Sequence, residues 1–286
     1  IALFEKRSHV TNQQTRFIRY PGARDGDSGV VALVALALID FLRAEPDDQH
    51  EELRTQLNQY LNFLVSLRRS DQHFHRKYLA RSGVGWGLAS PYFDGEILLA
   101  LSKAARYAGR TDLKDQCLRS AEAMYQTYVQ EAVQERQDAP ATKGFFQWGS
   151  MAFLELHDAQ WDEEQPFAQR TVDLAHWMID VHDVLQRRRN TAYAHEGIAC
   201  AYHLACQVED AAAAKKFRSA LEQGLAKLTS WQVGSPTASQ YLRGTLKYDT
   251  SCQGGVLGAD KSPWLRIDTT QHQMHAVILA RRYVWK

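Results

Sequence analysis

The sequence has almost no net charge, and it lacks a long hydrophobic run and any paired cysteine motif. Its 34 Lys and Arg residues nearly balance its 33 Asp and Glu residues, so no overall field attracts nucleic acid or an anionic membrane. The longest apolar run, Val30 to Ile39, is too short to span a bilayer. The four cysteines have no metal or redox spacing, and a small buried side chain is the usual role for such residues. We therefore expect no nucleic-acid partner and no membrane-spanning segment.

The sequence also lacks the short motifs of several enzyme classes. It contains no phosphate-binding loop, no serine nucleophile elbow, no dinucleotide fingerprint and no patch of interleaved basic and aromatic residues. Residues 1–7 do not have the order of a secretory signal, and the chain does not begin with Met. We expect a soluble protein, either cytoplasmic or exported after removal of a signal, and the sequence leaves its compartment and oligomeric state open.

One segment predicts a helix that is buried on nearly all sides. It runs from Asp94 to Gly109, opens on an acidic cap, is apolar around most of its circumference and ends at a glycine. Four other segments repeat this design, with small or polar residues before an apolar run, at 28–43, from 151, from 198 and at 274–283. We predict that these five segments are inner helices of the fold.

More polar segments lie between the predicted inner helices. Their apolar residues recur every three or four positions, as on the buried stripe of an outer helix, near residues 46–70, 111–137, 162–187 and 210–231. This alternation predicts stacked helical hairpins. Residues 71–92 and 232–268 are predicted long loops, the second with short strands near 245–248, and residues 139–144 are a predicted linker.

The composition does not divide the chain. The 286 residues are 45% hydrophobic, which is enough to bury a large core, and no shift in composition marks a boundary. We predict a single domain over residues 1–286, with residues 1–20 as an N-terminal arm. If the helices form two concentric rings, the N-terminal ends of the inner ring open on one face, and the predicted long loops gather there.

Three stretches resemble a known fold family. They are Tyr92 to Leu101, Asn190 to Ala192 with Glu196-Gly197, and Gly254-Gly255-Val256 followed by Leu265 to His272. Together they resemble α/α-toroid domains of the six-hairpin glycosidase-like kind, over roughly residues 20–284. The resemblance implies an all-α toroid of about five to six helical hairpins, with inner and outer rings and a cleft for a poly- or oligosaccharide at the inner-helix N-termini. Arg266-Ile267-Asp268 with His272 is also similar to the C-terminal motif of glucuronyl C5-epimerases.

Glycoside hydrolysis is the first chemistry that this resemblance implies. It uses two carboxyl groups across the scissile bond, about 5 Å apart for retention and roughly 6.5–9.5 Å apart for inversion, one of them with a raised pKa. The acidic residues near predicted loops are Asp25, Asp27, Asp94, Glu96, Glu196, Asp249 and Asp268. The catalytic candidates that we select are Asp94, Glu96, Glu196, Asp268 and His272.

Each candidate carboxylate also has a structural interpretation. Asp27 and Asp94 suit N-cap positions, where a side-chain oxygen accepts a hydrogen bond from a backbone amide. Glu96 and Glu196 lie in predicted first helical turns, where the helix dipole favours negative charge. Asp268 lies between Arg266 and His272 and is predicted to order both, although a structural pair with Arg266 is an equal alternative.

Proton abstraction next to a uronate carboxylate is the principal alternative, as in polysaccharide lyases and uronate epimerases. There a His or Tyr moves the proton while an Arg neutralises the sugar acid. The residues available for it are Arg76, Arg81, Arg266, Tyr92, Tyr193, Tyr248 and His195. Because no His-Glu-x-x-His motif or cysteine pair completes a set of three or four ligands, we predict no metal and no cofactor.

Aromatic residues gather near the same predicted face of the inner helices. Flat rings stack on the apolar faces of sugars, although large aromatic side chains also fill the ends of helical cores. The predicted substrate-binding residues are Asp27, Trp86, Tyr92, Trp148, Tyr193, His195, Tyr248, Trp264 and Arg266. A non-catalytic toroid that binds a glycan or a protein partner is a third possibility, because fold alone does not determine function. Polar groups converging in a cleft would favour an enzyme.

Overall fold

The computed structural model describes residues 2–11, 14–46, 50–161, 166–244 and 250–285. Helices dominate these residues, and the chain forms two compact units, residues 1–164 and 165–286. The single-domain prediction stays a prediction. The predicted strands near 245–248 and the predicted starts of the outer helices after residues 46 and 161 lie outside the described residues.

The first unit is built around three largely buried helices. Its helices are α1 (Ala2–Glu5), α2 (Ser28–Ala44), α3 (Glu51–Ser66), α4 (Pro91–Tyr107), α5 (Lys114–Tyr125), α6 (Ala132–Glu135) and α7 (Pro140–Ala159). Helix α4 packs against both α2 and α7, and its residues from 94 to 102 are all buried. The prediction of a helix buried on nearly all sides is confirmed for α4, and the predicted bounds of the first inner helix match α2.

The glycine of α4 allows close contact with α7. A side chain at Gly95 would place its Cβ 2.6 Å from the Cβ of Trp148 and 3.3 Å from the backbone nitrogen of Gly149. Such distances are shorter than van der Waals contact, so only a residue without a Cβ fits at this crossing.

Amphipathic helices cover this core. On α3 the residues Leu57, Tyr60, Leu61 and Leu64 are buried, and the helix packs on α2, so the predicted outer stripe is confirmed. Helix α5 continues through a π-helical segment, Gln126–Glu131, into α6. This widened turn interrupts the predicted outer helix at 111–137 without ending it, and π segments of this kind are often found at functional or strained positions.

Two small antiparallel sheets flank the helices of the first unit. Strand β1 (Ser8–Thr11) pairs with β2 (Thr15–Ile18), and β3 (Asp25–Asp27), β4 (Lys77–Leu79) and β5 (Gly85–Trp86) form a sheet in the order β3-β4-β5. The 71–92 segment, predicted as a loop, therefore contains two short strands. Gly26 lies opposite Tyr78 in the sheet, and a Cβ there would come within 2.2 Å of the Tyr78 ring.

The prediction of a linker at 139–144 is wrong. Helix α7 begins at Pro140, because proline suits the first helical position, where its missing N–H would have no intrahelical partner. The predicted third inner helix therefore starts eleven residues earlier than the predicted Met151, and Trp148 lies inside it. Sequence reasoning took Pro140 and Gly144 as helix breakers, whereas Gly144 lies inside the helix, where a Cβ would come within 3.0 Å of the Tyr92 ring.

The second unit has one central helix. Its helices are α8 (Phe167–Asp180), α9 (Ala192–Gln207), α10 (Ala211–Thr229), α11 (Gln240–Gly244) and α12 (Ile267–Tyr283). Helix α9 packs against α8, α10 and α12 and buries most of its residues, which confirms the fourth predicted inner helix. The Asp210 side chain caps α10 by accepting a hydrogen bond from the backbone nitrogen of Ala213 at 2.9 Å.

Helix α12 differs from the predicted fully buried inner helix. It buries Gln273, Ala276, Leu279 and Ala280, while Ile267 and Met274 are exposed. Small residues at 276 and 280 allow α12 to approach α9 along one stripe, and the apolar side chains on the rest of its circumference stay outside the core. An apolar run in sequence therefore overestimated the burial of this helix.

Candidate active site

Asp94 is a buried carboxylate inside α4. Ser90 occupies the N-cap position of the helix, so the interpretation of Asp94 as an N-cap is wrong. Its Oδ2 accepts hydrogen bonds from His73 Nδ1 at 2.6 Å and from the Tyr128 hydroxyl at 2.7 Å. Its Oδ1 accepts one from the Phe74 backbone nitrogen at 3.1 Å. Burial raises the pKa of Asp94 while these bonds oppose the shift, and the carboxylate ties the chain after α3 and the π segment to α4.

Glu96 is a buried carboxyl of a different kind. Glu96 as a whole is 7% exposed, and its Oε2 has no hydrogen-bond partner among the described residues. Burial, with a smaller contribution from the negative charge of Asp27, raises the pKa of Glu96 to about 8. The carboxyl occupies the space left by Gly29, where a Cβ would come within 2.1 Å of Oε2. At neutral pH Glu96 is protonated, which is the state of a general acid.

The acidic residues of β3 lie before α2. Asp27 is at the N-cap position of the helix, but its side chain makes no capping hydrogen bond. Its Oδ1 is 3.8 Å from Lys77 Nζ across the sheet. Asp25 has a buried Oδ1 without a hydrogen-bond partner among the described residues. The first unit therefore places a neutral carboxyl and a partly exposed carboxylate within electrostatic range of each other.

The aromatic candidates of the first unit have different exposures. Trp86 on β5 and Tyr92 in the first turn of α4 are exposed, and the Tyr92 hydroxyl accepts a hydrogen bond from Lys143 Nζ at 3.0 Å. Trp148 is buried against Gly95 in the middle of α7. Trp148 therefore packs in the core of the unit, whereas the other two rings are available to solvent.

Glu196 is the centre of a polar cluster in the second unit. It lies in α9 and is 0% exposed. Its Oε1 is 2.6 Å from His275 Nδ1, and its Oε2 is 3.1 Å from His272 Nδ1. Both histidines lie on one face of α12, three residues apart. Because a buried carboxylate requires partners, the two imidazoles stabilise Glu196 between α9 and α12.

The hydrogen bonds of this cluster define the orientation of the imidazoles. A carboxylate can only accept, so each Nδ1 carries the hydrogen, and proton exchange with another group would take place at Nε2. The His275 side chain is 37% exposed and that of His272 is 21% exposed, whereas the Glu196 side chain is fully buried. This arrangement of carboxylate and imidazole is suited to general acid–base chemistry at Nε2.

His195 points away from this cluster. It is 0% exposed, and its ring lies against α10, where a Cβ on Gly224 would come within 2.0 Å of it. Neither ring nitrogen has a hydrogen-bond partner among the described residues, and burial, with the Lys227 charge second, lowers the pKa of His195 to about 4. The ring is packed between α9 and α10 in this structure, and the predicted substrate-binding role of His195 stays a prediction.

Arg266 and Asp268 form a pair at the start of α12. Arg266 Nε donates to Asp268 Oδ1 at 3.0 Å, and a terminal nitrogen donates to Oδ2 at 2.6 Å. These bonds lower the pKa of Asp268, so the carboxylate stays ionised and is unsuited to donate a proton. Asp268 orders Arg266 as predicted, whereas the hydrogen-bonding carboxylate of His272 is Glu196.

The remaining candidates of the second unit lie around α9 and α12. Trp264 is 74% exposed next to the start of α12, and Tyr193 is half-buried in the first turn of α9. Tyr248 and Asp249 lie outside the described residues. Trp264 is therefore the aromatic side chain of this group that is most open to a sugar ring.

Three residues of these clusters, His73, Tyr128 and His275, were not among the sequence candidates. His73 and Tyr128 bind Asp94, yet neither follows a motif, because they come from a loop and from an interrupted helix. The pairing of His275 with His272 carried a signal, since residues three apart share a helix face, but the sequence did not indicate that Glu196 faces them. In the part of the chain that the structure describes, no group of His, Cys, Asp and Glu has the geometry of a metal site.

The comparisons with known proteins rest on structure. No protein-family model and no curated protein matches the sequence. A sugar epimerase from a ruminal bacterium is similar with a TM-score of 0.64 and 11% identity, over 100% of this chain and 83% of its own. The GH76 α-mannanase of Bacteroides thetaiotaomicron is similar with a TM-score of 0.64 and 10% identity, over 99% and 79%. The cellobiose 2-epimerase of Bacillus thermoamylovorans is similar with a TM-score of 0.60 and 13% identity, over 95% of this chain and 78% of its own.

The fold is the α/α toroid. All three similar structures are α/α-toroid enzymes, and the likeness extends over nearly the whole chain. The predicted all-α fold class and the resemblance to toroid domains are confirmed. At these identities the comparisons show the fold alone, and these carbohydrate-active neighbours include both epimerases and a glycosidase. No helix among the described residues is long and apolar enough to cross a membrane.

Proposed function

We propose that this toroid is a carbohydrate-active enzyme in which Glu196, His272 and His275 carry out proton transfer on a sugar. The observation that supports it is the convergence of both imidazole Nδ1 atoms on one buried carboxylate, at 2.6 and 3.1 Å. Two of the similar structures are sugar epimerases, and one route to epimerisation next to a carbonyl is removal and return of a proton. The same convergence favours an enzyme over a non-catalytic glycan- or protein-binding scaffold.

The proposed reaction is an epimerisation at the carbon next to a sugar carbonyl. A neutral imidazole takes the proton from that carbon through Nε2, and the electron pair moves to the carbonyl oxygen to form an enediolate. The Glu196 carboxylate stabilises the imidazolium that results, because it already accepts the Nδ1 hydrogen. In this proposal the second imidazole, in its protonated form, gives a proton to the opposite face of the same carbon while the electron pair re-forms the carbonyl, which inverts the configuration. Exchange with solvent then resets the protonation of the two imidazoles.

The decisive measurement is solvent deuterium exchange. Neutral reducing disaccharides and uronic-acid sugars are incubated with the protein in heavy water, and deuterium next to the carbonyl is followed by NMR. Wild type is expected to incorporate deuterium, and Glu196→Gln and His275→Gln to slow this by about 10²-fold or more, the usual contribution of a general acid or base. The matched control is His176→Gln, which removes a histidine that lies 3.8 Å from Asp180 on α8. Full exchange in both cluster variants would contradict the proposal.

Glycoside hydrolysis is the second candidate function, and Glu96 favours it. A carboxyl with a pKa of about 8 is protonated at neutral pH, as the acid of a glycosidase must be. Asp27, whose charge contributes to that pKa, would supply the second carboxyl. Under this proposal a poly- or oligosaccharide is cleaved at the Glu96 carboxyl of the first unit.

Release of reducing ends distinguishes the two candidates. If hydrolysis occurs, Glu96→Gln is expected to abolish the release of reducing ends from a panel of neutral and acidic polysaccharides, while the exposed control Glu135→Gln retains it. Deuterium exchange without reducing ends supports the epimerase, whereas reducing ends without exchange support the hydrolase. Unsaturated products, detected by ultraviolet absorbance, would instead show a lyase.

A further inference from the structure

A polar cavity in the first unit has no part in either proposed reaction. It measures about 420 Å³, which is within the size range of small-molecule pockets. It lies between the β1–β2 hairpin, the C-terminal end of α3 and the connection from β4 to β5. Its polar side chains come from Thr11, Thr15, Ser66, Arg68, His75 and Ser82, and we name it the hydroxyl pocket.

The hydroxyl pocket presents both donors and acceptors. The Ser66 hydroxyl donates to the Phe63 carbonyl at 2.6 Å, so its oxygen is left as an acceptor. Ser82 Oγ accepts from the Val84 nitrogen at 3.4 Å, so its hydrogen is left to donate. Such a mixture suits the hydroxyl groups of a sugar, which donate and accept at the same time.

One histidine of the pocket has a set orientation. His75 Nδ1 bonds the Gly87 carbonyl at 3.0 Å, which leaves Nε2 for a ligand. Gly85 permits this position, because a Cβ there would come within 2.9 Å of His75 Cδ2. The wall of the pocket therefore depends on a glycine, and the imidazole is positioned before any ligand binds.

The charge of the pocket is positive. Arg68 is exposed, and no hydrogen bond or ion pair of its guanidinium is found among the described residues. The neighbouring Arg69 is different, because Asp71 binds it at 2.8 Å. No Asp or Glu is among the lining residues. A guanidinium without a carboxylate partner is a ready site for a carboxylate or phosphate, which it can bind through two parallel hydrogen bonds.

The geometry points to the hydroxyl pocket as a binding site for an anionic sugar unit, a uronate or a sugar phosphate. Its charged group lies on Arg68, and its ring hydroxyls bond the Ser and Thr side chains. The choice of a sugar rests on the proposed function, whereas the choice of an anion rests on Arg68 and on the absence of acidic lining residues. The site is separate from Glu196, His272 and His275, which belong to the second unit.

Calorimetric titration of the Glu196→Gln protein tests this site without turnover. The probes are D-glucuronate, D-glucose 6-phosphate, D-glucose and inorganic phosphate. At least one anionic sugar is expected to bind about tenfold or more tightly than both glucose and phosphate, and the preferred one identifies the anion. Adding Arg68→Ala is expected to weaken that binding at least about tenfold, as loss of a charge-assisted pair does. Adding Arg24→Ala, which removes an exposed arginine that does not line the pocket, leaves binding unchanged.

Three outcomes would overturn the inference. They are binding of neither anionic sugar, equal binding of inorganic phosphate, and binding that Arg68→Ala does not change. Circular dichroism of Arg68→Ala, an exposed position, confirms that the variant is folded. Failure of the proposed function is distinguishable, because wild type would then show neither deuterium exchange nor reducing ends while the anionic sugar still binds in an Arg68-dependent manner.

Discussion

At the scale of single residues, burial shifts the pKa values of Glu96 and His195 in opposite directions. Both are buried without a hydrogen-bond partner for at least one polar atom among the described residues, so desolvation dominates their protonation. The buried carboxyl holds its proton and the buried imidazole loses its own. In both cases burial favours the uncharged form.

The pH dependence of stability follows from His195. Its pKa is about 4 in the folded chain against 6.5 for the free side chain, so between these values only the unfolded state binds the proton. The free energy of unfolding should therefore fall as the pH drops from 6.5 towards 4, by on the order of 3 kcal/mol from this group. Urea titrations of wild type and His195→Met between pH 6.5 and 4 measure how the free energy of unfolding of each protein changes with pH. An equal change in both proteins would contradict the prediction.

Glu96 changes the free energy of unfolding with pH in the opposite direction to His195. Its folded pKa of about 8 exceeds the free value of 4.5, so the folded state holds the extra proton, and stability from this group is lost as the pH rises through 8. Glu96→Gln, which cannot ionise, should remove this slope. The variant in which Glu96 and His195 are both replaced therefore serves as the reference that lacks the contributions of these two groups.

Gly29 offers a second test at residue scale. A Cβ at this position would meet Glu96 Oε2 at 2.1 Å and the Phe93 ring at 2.5 Å, so Gly29→Ala should lower the free energy of unfolding by roughly 1–3 kcal/mol, as overpacking does. Denaturant titration of wild type and Gly29→Ala measures this loss of unfolding free energy. Ala37→Ser, on an exposed position of the same helix, should change stability by less than about 0.5 kcal/mol, and an equally small effect of Gly29→Ala would refute the close packing.

At the scale of elements, the Asp94 cluster joins segments that the sequence treats as separate. The Tyr128 hydroxyl reaches Asp94 from the π segment, and His73 reaches it from the chain after α3. Tyr128→Phe should therefore cost about 1–3 kcal/mol of unfolding free energy, because a buried carboxylate loses a donor.

Tyr107→Phe is the matched control for that substitution. The Tyr107 hydroxyl donates to Glu155 at 3.0 Å in an exposed position, where water replaces the lost bond. Its effect should stay below about 1 kcal/mol in the same denaturant titration. Equal costs for the two tyrosines would show that burial of Asp94 does not matter.

The elements themselves show what periodicity predicts. The bounds of α2 and the stripe of α3 agree with the sequence, because apolar spacing directly records which face is buried. The start of α7 does not, because Pro140 and Gly144 are compatible with both a linker and a helix, and the choice depends on packing beside Tyr92. For α12 the apolar run correctly predicted a helix, but the helix is not buried on all sides, because burial depends on neighbouring elements.

At the scale of the whole molecule, the toroid likeness covers nearly all of the chain although the chain forms two compact units. We expect the predicted single domain to unfold in one cooperative transition. Tyr128→Phe in the first unit and Gly224→Ala in the second, where a Cβ would come within 2.0 Å of His195, should shift that same transition. Tryptophan fluorescence and far-ultraviolet circular dichroism against urea test this. Two transitions, each responding to the variant of its own unit, would contradict the single-domain prediction.

The sequence by itself determined the all-α class, the alternation of apolar and amphipathic helices and the set of candidate acids, because helix periodicity and capping are local properties. Only the tertiary structure decided which candidates meet. Glu196 and His272 are 76 positions apart in the chain yet bonded, while His195, the residue before Glu196, faces the opposite way into α10. Successive helical residues point in directions about 100° apart, so two neighbouring residues of α9 meet different helices, and only the tertiary structure decides which of them reaches α12.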